Sequence, residues 1–345
     1  MITEIGSEFW NISSRKTDKK YFLSGRTALD YIIRDIKQTH TVKSALLPSY
    51  CCHTMIEPFY RNGIKVRFYD VFFDREIGLR AEIPKAYPNE IFYYMKYFGY
   101  GNIQGVNIEY IKSKWELIIQ DKTHSWLSDN EDDFYDYSYA SYRKWFGISG
   151  IAVAEKNAGK FVICCGNETN KQYCRLRKNA ALLKNKYMCG ENVEKSTYLS
   201  MFNEAEELLE RDYVGYVPEA DAFEGFLNVD TDIIKKKRKE NAKILTDGLR
   251  DNPEISLIFQ KTDVYDVPLF IPVIIKAGRD GLKNFLIENN IYCPVHWVFS
   301  EYHKELNERS RAIYQQELSL ICDQRYNAED MKRILNVIYA YYVRR

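Results

Sequence analysis

Glu116-Leu117-Ile118-Ile119-Gln120-Asp121-Lys122-Thr123-His124 and, a short way on, Ser141-Tyr142-Arg143-Lys144-Trp145 are the stretches that decide how this chain reads. Residues 117–120 form an apolar run of strand length, and Asp121 closes it. Residues 138–141 read as the next strand, with Lys144 just past its end. A lysine among aromatic residues is ordinarily a snorkelling surface side chain. A carboxylate at the end of the preceding strand changes its meaning.

Working outward, short apolar runs alternate with helical patterns from about residue 22 to 165. Ser24-Gly25 can open a helix whose Ala28, Leu29, Ile32, Ile33 and Ile36 share one face. Residues 45–48 read as a buried strand, 55–60 as a helix ending near Asn62-Gly63, and 64–71 as a strand again. Further strands fit 91–97 and 151–155. This alternation predicts an α/β fold with a mainly parallel sheet between helices. In such sheets ligands sit beyond the carboxyl ends of the strands, where Asp121 would lie. A buried amine and a strand-end carboxylate are what pyridoxal 5'-phosphate (PLP) requires. The amine forms a Schiff base with the aldehyde, and the carboxylate keeps the pyridine nitrogen protonated so that the ring accepts electrons.

Beyond residue 170 the character changes. Residues 170–211 are charged helical sequence, with Ala205, Leu208 and Leu209 as an apolar stripe beside Glu204, Glu206, Glu207 and Glu210. Residues 212–221, containing Gly215 and Pro218, read as a linker or domain-crossing loop. The run Lys235-Lys236-Lys237-Arg238-Lys239 sits among Ile233, Ile234, Ala242, Ile244 and Leu245 at helical spacing, so it reads as a solvated helix face. Strands are expected at 267–275, 291–297 and 318–322, and helices at 282–287 and 328–342. The chain therefore divides into a large domain with its N-terminal segment, 1–225, and a smaller C-terminal α+β domain, 226–345.

Composition excludes several classes. With 49 basic and 48 acidic side chains, the net charge of +1 offers no field for nucleic acid or an anionic membrane. No apolar stretch is long enough to span a bilayer, and the polar N-terminus lacks the pattern of a signal peptide. The expected location is the cytoplasm. The eight cysteines show neither a Cys-x-x-Cys motif nor a metal-ligand spacing, so reduced thiols and no metal are expected.

The order and spacing of several motifs together resemble a fold-type-I PLP enzyme, closest to the DegT/StrS family of sugar aminotransferases. They are Ser24-Gly25-Arg26-Thr27-Ala28-Leu29, Leu47-Pro48-Ser49-Tyr50, Gln120-Asp121-Lys122-Thr123-His124 and the 141–144 run. Pro294-Val295-His296-Trp297 and Asp323-Gln324-Arg325-Tyr326 extend the likeness to the small domain. The resemblance implies that Lys144 is the Schiff-base lysine and proton shuttle, and that Asp121 pairs with the pyridine nitrogen. Read alone, Asp121 is a helix N-cap after a strand; Lys144 downstream favours the cofactor role. Gly25, Arg26 and Thr27 match the turn that holds the cofactor phosphate at a helix N-terminus. Ser141 matches a second phosphate contact, or is an ordinary strand-end serine. His124 falls near the cofactor's phenolic oxygen, or is a polar core histidine. His296 and Trp297 resemble a motif facing the substrate cleft, with packing between domains the other reading for Trp297.

Three departures stand out. The ring-stacking aromatic would align at Cys52, leaving Tyr50 or His53 as substitutes. The glycine-rich turn after the lysine is reduced to Gly147-Ile148-Ser149-Gly150. The stretch through which a neighbouring subunit completes the sugar site is not recognisable between residues 166 and 216. The resemblance implies a homodimeric aminotransferase that moves nitrogen from an amino donor to a keto-sugar or other small carbonyl compound. Other PLP chemistry (decarboxylation, elimination or condensation) and a non-catalytic binding subunit are the alternatives.

Overall fold

The computed structural model describes residues 17–101, 103–128 and 134–343. The strands are β1 (Asp18–Phe22), β2 (Ser44–Pro48), β3 (Lys65–Asp74), β4 (Gly78–Glu82), β5 (Glu90–Met95), β6 (Leu117–Asp121), β7 (Tyr137–Ser141) and β8 (Ala152–Lys156) in the first half, then β9 (Ile255–Leu257), β10 (Ile271–Ile275) and β11 (Glu317–Leu320). The helices are α1 (Gly25–Thr39), α2 (His53–Arg61), α3 (Ile108–Lys114), α4 (Lys171–Met188), α5 (Lys195–Arg211), α6 (Ala220–Leu227), α7 (Thr231–Leu249), α8 (Arg279–Glu288), α9 (Glu308–Gln316) and α10 (Ala328–Val343).

Eight strands form one sheet in the order β1-β8-β7-β6-β5-β2-β3-β4, and β11-β10-β9 form a second. The β2/β3, β2/β5, β5/β6 and β6/β7 pairs are parallel, as expected. The β1/β8, β7/β8 and β3/β4 pairs are antiparallel. Strands β2, β5, β6 and β7 are buried along their whole length. That is the pattern of a parallel sheet covered on both faces, and it explains their near-continuous apolar sequence.

Because β8 reverses direction after β7 and β1 reverses again, the ends of β1 and β7 come together. Phe22 and Ser141 are both register partners of Ala152. The start of α1 therefore meets the carboxyl end of β7, and the ends of β2, β5 and β6 open on the same edge. One apolar cluster runs from Phe22 through both sheets to Ile338 on α10.

Two expectations for the second half are corrected. Residues 291–297 do not form a strand. Pro294, lacking an N–H, only accepts a single bond from the Ser319 amide at 3.0 Å, so no ladder develops. The strand expected from 267 begins at Ile271. The amides of Val267 and Leu269 bond instead to the carbonyls of Gly99 and Phe98, at 3.1 and 2.7 Å. Gly99 has φ +88°, and a Cβ there would lie 1.9 Å from the Val267 oxygen, so glycine permits the approach. Among the described residues no helix is long and apolar enough to cross a membrane, and no group of side chains could hold a metal ion. All eight cysteines are free thiols.

Candidate active site at the carboxyl edge of the large sheet

Asp121 is the last residue of β6, 1% exposed. One carboxylate oxygen accepts the Thr123 amide at 2.7 Å, the local cap expected of a strand-end aspartate. The other accepts the hydroxyls of Tyr93 and Tyr139, at 2.9 and 2.8 Å. Burial pushes the carboxyl pKa up, and bonds from Thr123, Tyr139 and Tyr93 pull it part of the way back. The turn that follows is fastened to the end of β7. Ser141 N–H donates to the Thr123 hydroxyl at 3.2 Å, and Trp145 Nε1 donates to the Thr123 carbonyl at 2.8 Å.

Lys144 ends a single 3-10 turn, Tyr142–Lys144, directly after β7. Contrary to the sequence expectation its side chain is exposed rather than buried. It lies on the wall of an open cavity of about 670 Å³, with Arg143, Ser149, Arg177, Lys184 and Arg238 among the lining residues. The amine is reachable from the cavity. Its surroundings lower its pKa, through loss of solvent and then through the Arg143 charge.

At the other end of the site, Ser24 caps α1, accepting the Thr27 amide at 3.1 Å. Thr27 Oγ1 also donates to the Tyr213 carbonyl at 2.7 Å, so both donors of Thr27 serve the turn itself. The Arg26 guanidinium pairs with Glu210 on α5, at 2.6 and 3.1 Å. What this turn can offer an anion is the first-turn N–H groups of Gly25 and Arg26, which have no partner within the helix. Gly25 is pressed against β7: a Cβ there would sit 3.1 Å from the Ser141 Cβ. Ser141 and the α1 N-terminus are thus brought together.

Cys52 occupies the cap position of α2, with its thiol 3.8 Å from His53 Nδ1. Burial alone would raise its thiol pKa, but contacts from His53 and Thr54 hold it below the usual value. Neither proposed substitute for the missing aromatic is free to stack. The Tyr50 ring is fully buried, stacked on Tyr97 at 5.6 Å and packed against Trp297 and Tyr314. His53 is turned to Cys52 and Glu210. The stack that forms nearby is His124 on Trp297, with centroids 5.5 Å apart and planes 23° from parallel. His296 meets the His124 ring edge-on at 5.7 Å. Burial and the Lys144 charge lower the pKa of His124 to about 3, and burial, His124 and Lys144 hold His296 well below its usual value. Both imidazoles are neutral at physiological pH.

Sequence reading missed several charged partners. Glu206 on α5 accepts Arg143 at 2.5 and 3.0 Å and Arg177 at 3.2 Å. Burial would raise the Glu206 carboxyl, but the two arginines overrule it and hold the pKa at about 2. Glu206 and Glu210 are four residues apart on one helix, so they share a face, and that spacing was the available signal. The basic run on α7 is not wholly a solvated face. Arg238 is 2% exposed, lies over the Trp145 ring at 4.9 Å, and donates to the carbonyls of Pro268 and Leu269.

These residues fit PLP at three of its four contact points: a reachable amine of depressed basicity, a buried carboxylate, and a helix N-terminus beside a serine hydroxyl. Ser149, on the cavity wall, adds a buried hydroxyl with no partner among the described residues. The ring-stacking contact is not supplied at Cys52.

No protein-family model matches the chain, and no curated protein sequence matches it significantly. Solved structures do. The Helicobacter pylori aminotransferase PseC, involved in the biosynthesis of pseudoaminic acid, superposes with a TM-score of 0.62 at 13% identity, over 95% of this chain and 87% of that one. A DegT DnrJ EryC1 StrS aminotransferase from Brucella abortus gives 0.57 at 14%, over 94% and 85%. The E. coli GDP-4-keto-6-deoxy-D-mannose-3-dehydratase with bound hydrated PLP gives 0.62 at 12%, over 93% and 87%. At these identities the likeness establishes the fold: this chain has the fold-type-I architecture of those enzymes.

Proposed function

We propose that this chain is a PLP-dependent aminotransferase of the DegT/StrS type, acting on a keto-sugar or another small carbonyl compound. The observation that carries the reading is the placement of Asp121 at the end of β6 and of Lys144 just past the end of its neighbour β7, with Lys144 open to a cation-lined cavity. When bound, the cofactor supplies an aldehyde to the Lys144 amine and a ring that draws electrons from the substrate carbon. Asp121, fixed by three donors, offers its charge to the ring nitrogen. Gly25, Arg26 and Ser141 receive the phosphate, with Thr27 and Glu210 holding that turn in place. Lys144, of lowered basicity beside Arg143, takes up a proton and returns it. Glu206 ties Arg143 and Arg177 together and limits the positive field beside the amine. His124, His296 and Trp297 line the substrate side from two different parts of the chain.

The likeness to a dehydratase at an equal TM-score supports a second reading, in which the same cofactor serves elimination. In either case the large unit extends to about residue 225 and the remainder forms the smaller one. Titrating the purified chain with PLP tests both. A visible absorbance band that stays with the protein after free PLP is removed, and that borohydride bleaches while fixing the cofactor covalently, is expected. Protein that retains no such band after saturating PLP would overturn the reading in favour of a binding subunit.

The working unit is a homodimer, because enzymes of this resemblance complete each site from the partner and twofold dimers are the commonest assemblies. The face of α4 and α5 carrying exposed Leu182, Met188 and Leu199 supplies apolar area for the contact. Light scattering on the PLP-bound chain should give twice the monomer mass. A fully active monomer would refute the dimer.

A further inference from the structure

Behind His296 lies a chain of buried polar groups for which the reaction above has no use. His296 Nδ1 is 2.8 Å from the Ser319 hydroxyl, and that hydroxyl is 2.5 Å from Oε1 of Glu317. The other carboxyl oxygen of Glu317 accepts the His296 backbone N–H at 2.6 Å. Glu317 and Ser319 are fully buried on β11, and His296 is 9% exposed. The imidazole's remaining nitrogen, Nε2, bonds no described residue. A glutamate in the middle of an apolar cluster without a directly paired cation is costly and calls for a reason.

We propose that Glu317, Ser319 and His296 form a proton-exchange chain that sets which tautomer His296 presents to the Lys144 side of the site. The hydrogen-bond bookkeeping allows two states. With Glu317 ionised, Oε1 accepts from the Ser319 hydroxyl, whose oxygen accepts Nδ1–H, and Nε2 is a bare acceptor. With Glu317 protonated at Oε1, that O–H donates to Ser319, Ser319 donates to Nδ1, and Nε2 carries the hydrogen. A proton taken up at Nε2 therefore leaves from Nδ1 to Ser319 while the serine proton passes to Glu317. One proton enters and one carboxylate is neutralised, and the imidazole stays uncharged throughout. The backbone N–H bond to Oε2 persists in both states and keeps the carboxyl in register.

The surroundings suit such an exchange. Burial pushes the Glu317 carboxyl up to about 8, against the opposing pull of Ser319, the His296 amide and Arg279. From α8, Arg279 donates to the carbonyls of Tyr314 and Glu317, the latter at 2.9 Å, and pairs with the Asp280 carboxylate at 2.6 Å. Tyr50 and Cys293 are the other titratable groups felt by or feeling Glu317, and burial holds both protonated. On the open side His296 faces His124 and the Lys144 charge. Glu317 and Ser319 act through His296 and are positioning residues. Their use beside Lys144 rests on the aminotransferase reading, whereas the tautomer coupling does not.

The test is side-chain nitrogen NMR on full-length chain labelled with 15N-histidine, with no cofactor added and His296 assigned from the His296→Gln spectrum. In the unsubstituted chain, His296 should be protonated at Nε2 at pH 6 and pass to the Nδ1–H tautomer as the pH rises through about 8. Glu317→Gln should hold it in the Nε2–H form from pH 6 to 9, because the amide can only donate to Ser319 while its oxygen accepts the backbone N–H. Ser319→Ala, which cuts the chain with less change to the core, should abolish the pH-dependent exchange. One tautomer at every pH in the unsubstituted chain, or the same exchange surviving in either variant, would overturn the proposal.

Discussion

Lys144→Ala is expected to leave a folded chain that develops no Schiff-base band with PLP, retains no covalently fixed cofactor after borohydride, and has no measurable turnover. The proton-moving role alone accounts for roughly 10²–10⁴-fold, and without a primary amine the cofactor has no covalent anchor. The fold should tolerate the change. Lys144 is exposed and makes no hydrogen bond or ion pair among the described residues, so its removal should alter stability by no more than about 0.5 kcal/mol. Loss of one cation near Arg143 and Arg177 works in the stabilising direction. Lys156, the lysine that ends the next strand and the other candidate for the Schiff base, is held elsewhere. It ends β8, opposite Tyr137 at the start of β7, and pairs with Asp35 at 3.0 Å. It therefore sits at the far edge of the sheet. A borohydride-reducible adduct persisting in the Lys144→Ala chain would sink the assignment.

Asp121→Asn should bind PLP but lose roughly 10- to 100-fold in turnover, the loss of one charge-assisted hydrogen bond of about 1.5–3 kcal/mol. It should also cost stability. The amide group must face either the Thr123 N–H, setting two donors against each other, or the paired hydroxyls of Tyr93 and Tyr139, which must then turn their hydrogens. A penalty of about 1–3 kcal/mol is expected for the group left unsatisfied, measurable as a lowered denaturant midpoint. The two effects are separable, because a structural aspartate would show the stability loss alone. Unchanged kcat and an unchanged cofactor spectrum in a destabilised variant would make Asp121 a cap and nothing more.

The sequence by itself determined the parallel centre of the large sheet and placed Asp121 at the carboxyl end of one of its strands. The runs that became β2, β5, β6 and β7 are apolar because both their faces are covered, so burial writes itself directly into local composition. Asp121 and Lys144 stood out because each stands at or just past a strand end, again a local fact. The tertiary structure alone decided how the polar groups pair. Apolar periodicity says which side of α5 turns inward; it does not say that Glu206 meets Arg143, 63 residues away, or that Glu210 meets Arg26. It marked 291–297 as a strand, although Pro294 leaves that segment without a ladder and frees His296 to turn toward His124. It took the basic run on α7 for solvent-facing, although Arg238 turns in upon Trp145. It also gave no notice that Glu317, in an apolar strand, would find Ser319 and the His296 amide. Hydrophobic burial is non-directional and averages over a segment, so a sequence can carry it. A hydrogen bond or ion pair needs two particular atoms within about 3 Å, and only the packed chain brings distant residues that close.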